Sequence, residues 1–298
     1  MTHIHAKNPA ATRILPGLRD VAARYDVILS DIWGVLHDGE THFPAAADAL
    51  SRARAVGVKV VLITNAPRPH GPIRAQLDHF HVPKTAYDDL VTSGDTAVAL
   101  IATHGRDKVF HIGPARDLTL FDEVPALTGH RPELTCLEDA DYAVCTGLFD
   151  DDAETPENYR ARFEAMLARK MPMICANPDL VVHRGATLLY CAGALAKLYE
   201  EMDGTAIYAG KPHGPIYDRA LKLAGAGPGA RVLAIGDALA TDIKGAHRQG
   251  FDALFVTHGI HRHELHPGGE RTLDAGRLAA LLEGGELCPE LAMAELAW

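Results

Sequence analysis

The sequence predicts an α/β fold, a doubly wound parallel sheet with helices on both faces. Three observations predict it. Short β-branched runs alternate with longer helical patterns along the 298 residues, as chains of βα units do. Runs such as "VVLIT" and "RVLAIGD" are almost continuously apolar, which suits strands covered on both faces. Several of these runs end abruptly in a polar group.

The first strand is Val27–Leu29, whose apolar run stops at Asp31. A helix over Ala45–Ala55 leads to a strand at Val58–Ile63, which ends in Thr64-Asn65. Next come a helix at Ile73–Phe80, a strand at Asp89–Thr92, a helix at Thr96–Thr103 and a strand at Lys108–Ile112. Tyr142–Cys145 and Met173–Cys175 read as strands on either side of a helix over Pro156–Arg169. A helix at Gly193–Met202, a strand at Ile207–Tyr208 and a helix at Pro215–Leu223 follow. The last units are a strand at Val232–Ile235 ending in Asp237, a helix at Thr241–Arg248 and a strand at Ala253–Val256. Gly225–Ala230 ("GAGPGA") follows a helix and precedes a strand, so it reads as a turn and not a dinucleotide loop. With no Pro/Gly/Ser linker and no repeat, two domains would be joined by short hinges.

A net charge of −10, with 29 Lys and Arg scattered along the chain, argues against nucleic acid or an anionic membrane as partner. No apolar run is long enough to span a bilayer, and "MTHIHAKNPAATR" lacks the apolar core of a signal peptide. Five widely spaced cysteines without a C-x-x-C pair fit reduced thiols in a cytoplasmic protein, most of them small buried hydrophobes. The histidines of "HGIHRHELH" (His258, His261, His263, His266) have no accompanying cysteine or acid framework and read as a solvated loop.

In open α/β sheets ligands bind outside the carboxyl ends of the strands. Asp31, Thr64-Asn65 and Asp237 therefore converge on one rim, with groups suited to an anion or a metal. In this setting "DIWGVLHDG", "LITNAPRP", "YAGKPHGPIY" and "AIGDALATDIKGA", in that order, resemble the four motifs of the haloacid dehalogenase superfamily. The spacing is similar to its NagD-like, class IIA branch, phosphatases with a large cap inserted between the second and third motifs. "ADYAVCTG" and "CANPDLVVHRGATLLYCAGAL" are similar to that branch's cap, and the resemblance runs from Asp26 to Gly259.

The resemblance implies a Rossmann-like core at 1–95 and 206–298 with an α/β cap at 96–205. It implies that Asp31 is the nucleophile and forms an aspartyl-phosphate. Thr64 and the amide of Asn65 would clamp the phosphate, and Lys211 would neutralise it. Asp237, supported by Asp242, would bind Mg²⁺ together with Asp31 and the carbonyl of residue 33. Asp242 could instead complement the dipole of its helix. The segment Asn177–Thr187, read as a loop between strand and helix, holds Asp179, His183 and Arg184 as candidates for substrate contacts. The substrate would be a small phosphorylated metabolite, and the resemblance implies a homodimer through the cap.

Elementary chemistry agrees. A phosphate dianion repels a carboxylate nucleophile, so attack needs a divalent cation and an ammonium to cancel charge. Carboxylate ligation with retained water selects Mg²⁺.

One position departs from the motif. The first motif normally reads acid-x-acid, its second acid protonating the leaving group and then activating water. Here that position is Trp33, whose indole N–H only donates and does not titrate near neutrality. Three readings follow. The protein is a working phosphatase whose proton shuttle is another residue, such as His37 or His183, or whose substrates carry good leaving groups. It is an impaired enzyme kept to bind a phosphorylated ligand in a regulatory role. Or Trp33 stacks on a flat substrate group. The indole could also simply pack beneath the cap.

Overall fold

The structure, a computed structural model, describes residues 12–184, 187–269, 271–283, 285 and 287–298. Nearly all of the stretch read for a leader lies outside these residues, as do positions 185–186 of the 177–187 segment. In chain order the strands are β1 (Arg13–Ile14), β2 (Val27–Ser30), β3 (Lys59–Thr64), β4 (Asp89–Thr92), β5 (Lys108–Ile112), β6 (Glu133–Leu134) and β7 (Tyr142–Cys145). They continue with β8 (Met173–Cys175), β9 (Val181–Arg184), β10 (Thr187–Tyr190), β11 (Ala206–Tyr208), β12 (Val232–Gly236), β13 (Asp252–Val256) and β14 (Leu291–Met293). The chain folds as two compact units, Met1–Ile63 with Leu77–Leu90 and Tyr217–Trp298, and Thr64–Gln76 with Val91–Ile216.

The first unit is built on a seven-stranded sheet in the order β1-β14-β13-β12-β2-β3-β4. From β1 to β3 every neighbouring pair is parallel. The chain winds outward from β2 through β3 to β4 on one side and from β12 through β13 to β14 on the other. The crevice between β2 and β12 is therefore the topological switch point, where such sheets place their ligands. One face of this sheet is closed by Ala234, Ala253, Phe255 and Ala292 packed on Ile243, Ala246, Leu278 and Leu282.

The second unit has its own parallel five-stranded sheet, β11-β8-β7-β5-β6. Alternation along a strand sends neighbours to opposite faces. Tyr142 and Val144 of β7 join one core cluster with Val109 and Ile174. Ala143 and Cys145 join the other with Met173, Phe163 and Tyr199. Both faces of this sheet are covered. The helix Ser93–His104 starts at a capping box, in which Thr92 Oγ1 accepts from the Asp95 amide (2.9 Å) and Asp95 Oδ2 from the Thr92 amide (3.0 Å).

The expected elements are present with small changes of boundary, and some differ in kind. Residues 177–187 are not one loop: β9 and β10 form an antiparallel hairpin with His183 opposite Leu188. The helix expected from Pro156 opens as a 3₁₀ turn over Pro156–Tyr159. The one expected from Thr241 opens as a π-helical turn over Leu239–Ile243. Among the described residues no helix is long and apolar enough to cross a membrane. Four of the five cysteines are buried and all are unpaired, in keeping with their reading as small hydrophobes.

Candidate active site

Asp31 and Asp237 arrive at the switch point because β2 and β12 are neighbours in register, Ser30 opposite Ile235. The Asp31 amide donates to the Ile235 carbonyl (2.8 Å), extending the ladder by one residue. Asp242 comes from the π-helical turn after β12, an irregularity that recurs at functional sites. Asp31, Asp237 and Asp242 are all buried, and each offers a carboxylate oxygen within 4.8 Å of the others.

Backbone amides orient the three. Ile32 N donates to Asp31 Oδ1 (2.8 Å), Ile260 N to Asp237 Oδ2 (2.7 Å) and Ala238 N to Asp242 Oδ2 (3.1 Å). Asp242 thus serves its own turn and the cluster together. Gly34, at φ +80°, passes so close that any side chain there would overlap the Asp237 carboxylate.

Three buried carboxylates converging in this way repel one another unless a cation lies among them. An all-oxygen set suits a hard divalent ion, and opposite ligands of an octahedral Mg²⁺ stand about 4 Å apart. Carboxylate oxygens within 4.8 Å of one another are close enough to share such an ion. Asp31, Asp237 and Asp242 would hold it, with the carbonyl of Trp33 as the further oxygen that the family resemblance implies.

The Trp33 indole lies against its own loop. A Cβ on Gly39, at φ +91°, would stand 2.5 Å from Cζ2 and 2.7 Å from Cη2 of the indole. His37 meets the indole edge-on (5.2 Å between centroids) and lies 4.7 Å from the Phe80 ring. His37 Nδ1 accepts from the Gly39 amide (3.0 Å), which puts the ring proton on Nε2. Burial lowers the pKa of this imidazole to about 4. His37 is therefore neutral, bonded and enclosed at neutral pH. It packs the Trp33 loop, and a ring neutral at that pH has no extra proton to give a leaving group.

The sign of this shift makes a prediction. The unfolded chain protonates His37 near its ordinary value of 6.5, whereas the folded ring stays neutral to about 4. Between these values the unfolded state binds more protons, so stability is lost as pH falls through that window. Melting curves from pH 7 to pH 4.5 are expected to show that decline, and a His37→Gln variant should show a shallower one. Equal slopes would remove His37 as a contributor.

The other expected residues lie in the second unit. Thr64, at the end of β3, accepts from the Ala66 amide through Oγ1 (3.2 Å). Asn65 and Lys211 are each 2% exposed. Asn65 Oδ1 accepts from the Lys211 amide (2.7 Å), and Nδ2 donates to Asp179 Oδ1 (2.8 Å) and to the Lys211 carbonyl (3.2 Å). The structure thus brings Asn65, Asp179 and Lys211 together. Arg184 is instead an exposed residue paired with Asp152, and His183 is half-buried on β9.

Sequence reasoning missed the Asn65–Asp179 contact, whose partners lie 114 positions apart. It also placed His266 in a solvated loop. The ring is buried, with Nε2 2.8 Å from Thr257 Oγ1, so that expectation is corrected: a histidine packed on a strand-end threonine looks the same in sequence as an exposed one.

Comparison with known proteins identifies the family of the chain. A family model described as haloacid dehalogenase-like hydrolase matches residues 28–125, and a HAD-hydrolase-like model matches residues 208–276. A crystal structure of a hydrolase of the haloacid dehalogenase-like family from Brucella suis 1330 is 43% identical, with a TM-score of 0.81, covering 95% of this chain and 100% of that one. The chain belongs to the haloacid dehalogenase-like hydrolase family. It is also similar to a D-glycerol 3-phosphate phosphatase of Mycobacterium tuberculosis, 28% identical over 250 residues and 82% of this chain. The chain spans 66% of that relative's length. The crystal structure of a glycerol phosphate phosphatase from M. tuberculosis in complex with calcium shares the fold at 24% identity and a TM-score of 0.63, covering 91% of this chain and 77% of that one.

Proposed function

We propose that this protein is a Mg²⁺-dependent phosphatase that hydrolyses a small phosphorylated metabolite, such as a sugar phosphate, through an aspartyl-phosphate on Asp31. The observation that carries the reading is the cluster of Asp31, Asp237 and Asp242 at the switch point. A bound Mg²⁺ would supply charge neutralisation for a phosphate dianion beside a carboxylate. Asp31 attacks phosphorus, which divides one hard displacement into two easier ones. Thr64 and the Asn65 amide clamp the phosphate, and the Lys211 ammonium offsets its charge. Residues 96–205 act as the cap.

Trp33 favours a second reading, an impaired enzyme that binds a phosphorylated ligand in a regulatory role. The two differ in turnover. A panel of phosphorylated metabolites assayed with Mg²⁺ should show release of phosphate from at least one, and binding without turnover on any ester would select the second reading.

The metal is tested separately. Mg²⁺ should raise the melting temperature of the parent, because a ligand that binds only the native state stabilises it by mass action. Asp237→Ala should lose that rise together with Mg²⁺-dependent hydrolysis. An undiminished rise in the variant would place the metal elsewhere.

A further inference from the structure

We propose that Asn65 is the positioning residue of Lys211: its side-chain carboxamide, oriented by Asp179, sets the lysine in place and does not itself touch the phosphate. The inference rests on the reading of Lys211 as the group that neutralises phosphate, and it adds the element that holds that group.

The hydrogen bonds leave one orientation for the carboxamide. The Lys211 amide can only donate, so it faces Oδ1 (2.7 Å). The Lys211 carbonyl (3.2 Å) and the Asp179 carboxylate (2.8 Å) only accept, so both face Nδ2. Oδ1 and both amide protons are thereby engaged. Asn65 pairs with the N–H and the C=O of one residue at once, as a neighbouring strand would, although the two lie 146 positions apart. Both residues are buried, where backbone groups need partners.

The surroundings are shaped to this contact. A side chain on Gly210 would overlap Asn65 Oδ1 and stand 2.7 Å from Ser93 Oγ and 2.8 Å from Pro178 Cδ. Asp179 is itself fixed: its amide donates to Asn177 Oδ1 (3.1 Å), and its carbonyl accepts from the Gly193 amide (3.1 Å). Three distant segments, 64–66, 177–179 and 210–211, meet at one carboxamide.

The three substitutions nearest in shape or size do not satisfy these partners. Aspartate keeps the shape but loses both donors and sets a carboxylate against Asp179. Alanine leaves the Lys211 amide without its acceptor, and glutamine is one methylene too long for the space beside Gly210. This account assigns Asp179 to orientation, in place of the substrate contact expected from its position in the 177–187 segment.

The test is a double-mutant cycle of Asn65→Ala and Lys211→Met in the full chain. It is read twice with Mg²⁺ present, as affinity for inorganic phosphate by calorimetry and as kcat and KM for p-nitrophenyl phosphate. Asn65→Ala keeps its backbone amide. It should weaken phosphate affinity and lower kcat/KM by about 10²-fold, the usual cost of a misplaced catalytic group. With Lys211→Met already present it should add less than about 3-fold, because the two act as one unit. A similar loss in both backgrounds would overturn the proposal, since Asn65 would then act on phosphate directly.

A second pair checks Asp179. Asn65→Asp should be at least as damaging as Asn65→Ala, and adding Asp179→Asn should recover about 10-fold by restoring one donor between the two side chains. A double variant no better than Asn65→Asp would overturn the role of Asp179, and this pair also serves if Asn65→Ala fails to melt cooperatively. Coupling in phosphate affinity without hydrolysis by the parent would contradict the phosphatase reading while supporting the positioning role. Hydrolysis by the parent without coupling would do the reverse.

Discussion

Asp31→Asn is expected to lose at least about 10⁴-fold in turnover while melting cooperatively near the parent temperature. Removing a covalent nucleophile leaves only the catalysis that binding and charge stabilisation supply. The fold should tolerate the change because the carboxamide has the same shape, and its oxygen can still accept from the Ile32 amide, as Asp31 Oδ1 does at 2.8 Å. The substitution also removes one negative charge from the buried cluster of Asp31, Asp237 and Asp242, which lowers electrostatic repulsion in the metal-free protein. The variant should therefore be no less stable than the parent without Mg²⁺. Parent-like hydrolysis on any substrate the parent cleaves would remove Asp31 from the mechanism.

Trp33→Asp tests what the replaced acid has done to the chemistry. General acid–base assistance is worth about 10²–10⁴ in rate, and an indole cannot supply it. If neither His37 nor His183 takes over that role, leaving-group basicity should control the parent. Aryl and acyl phosphates, whose leaving groups depart without a proton, should be cleaved much faster than sugar phosphates. Restoring the carboxylate should raise turnover of alkyl phosphates by about 10- to 10³-fold, somewhat less than the full range because the loop is built around an indole. The packing against Gly39 and His37 explains the reduction: aspartate leaves that face of the loop unfilled and should lower stability by about 1–3 kcal/mol. A Trp33→Asp variant slower on every substrate would make the indole part of the working site.

Much of this architecture is legible in the sequence because it is written locally. β5 and β7 coincide with the apolar runs at Lys108–Ile112 and Tyr142–Cys145, and the strand-end position of Asp31 and Asp237 follows from where two such runs stop. The hairpin of β9 and β10 is not legible. The residues of β9 and β10 are half-buried or exposed, so no clean two-residue alternation marks it. The two- and three-residue strands β1, β6 and β14 are defined by their partners rather than by any pattern of their own. The helix Ala275–Leu282 did carry a signal, the cap at Asp274, whose Oδ1 accepts from the Arg277 amide (2.9 Å). In the site, the acids are legible as residue types. The engagement of Asn65 with Lys211 and Asp179 is not, because it joins residues more than a hundred positions apart. The seating of the Trp33 ring on Gly39 is local, yet nothing in "DIWGVLHDG" says on which side of the loop the indole lies.

The most direct measurement is a rapid acid quench of the parent mixed with radiolabelled acetyl phosphate and Mg²⁺, followed by peptide mapping. Acetyl phosphate needs no protonated leaving group, so Trp33 should not obstruct the first step, and a second step slowed by the missing base should let the intermediate accumulate. The account predicts label on the peptide containing Asp31, acid-stable and lost in alkali, absent without Mg²⁺ and absent in Asp31→Asn. Release of phosphate with no label on that peptide at any quench time, or label that persists in Asp31→Asn, would contradict it.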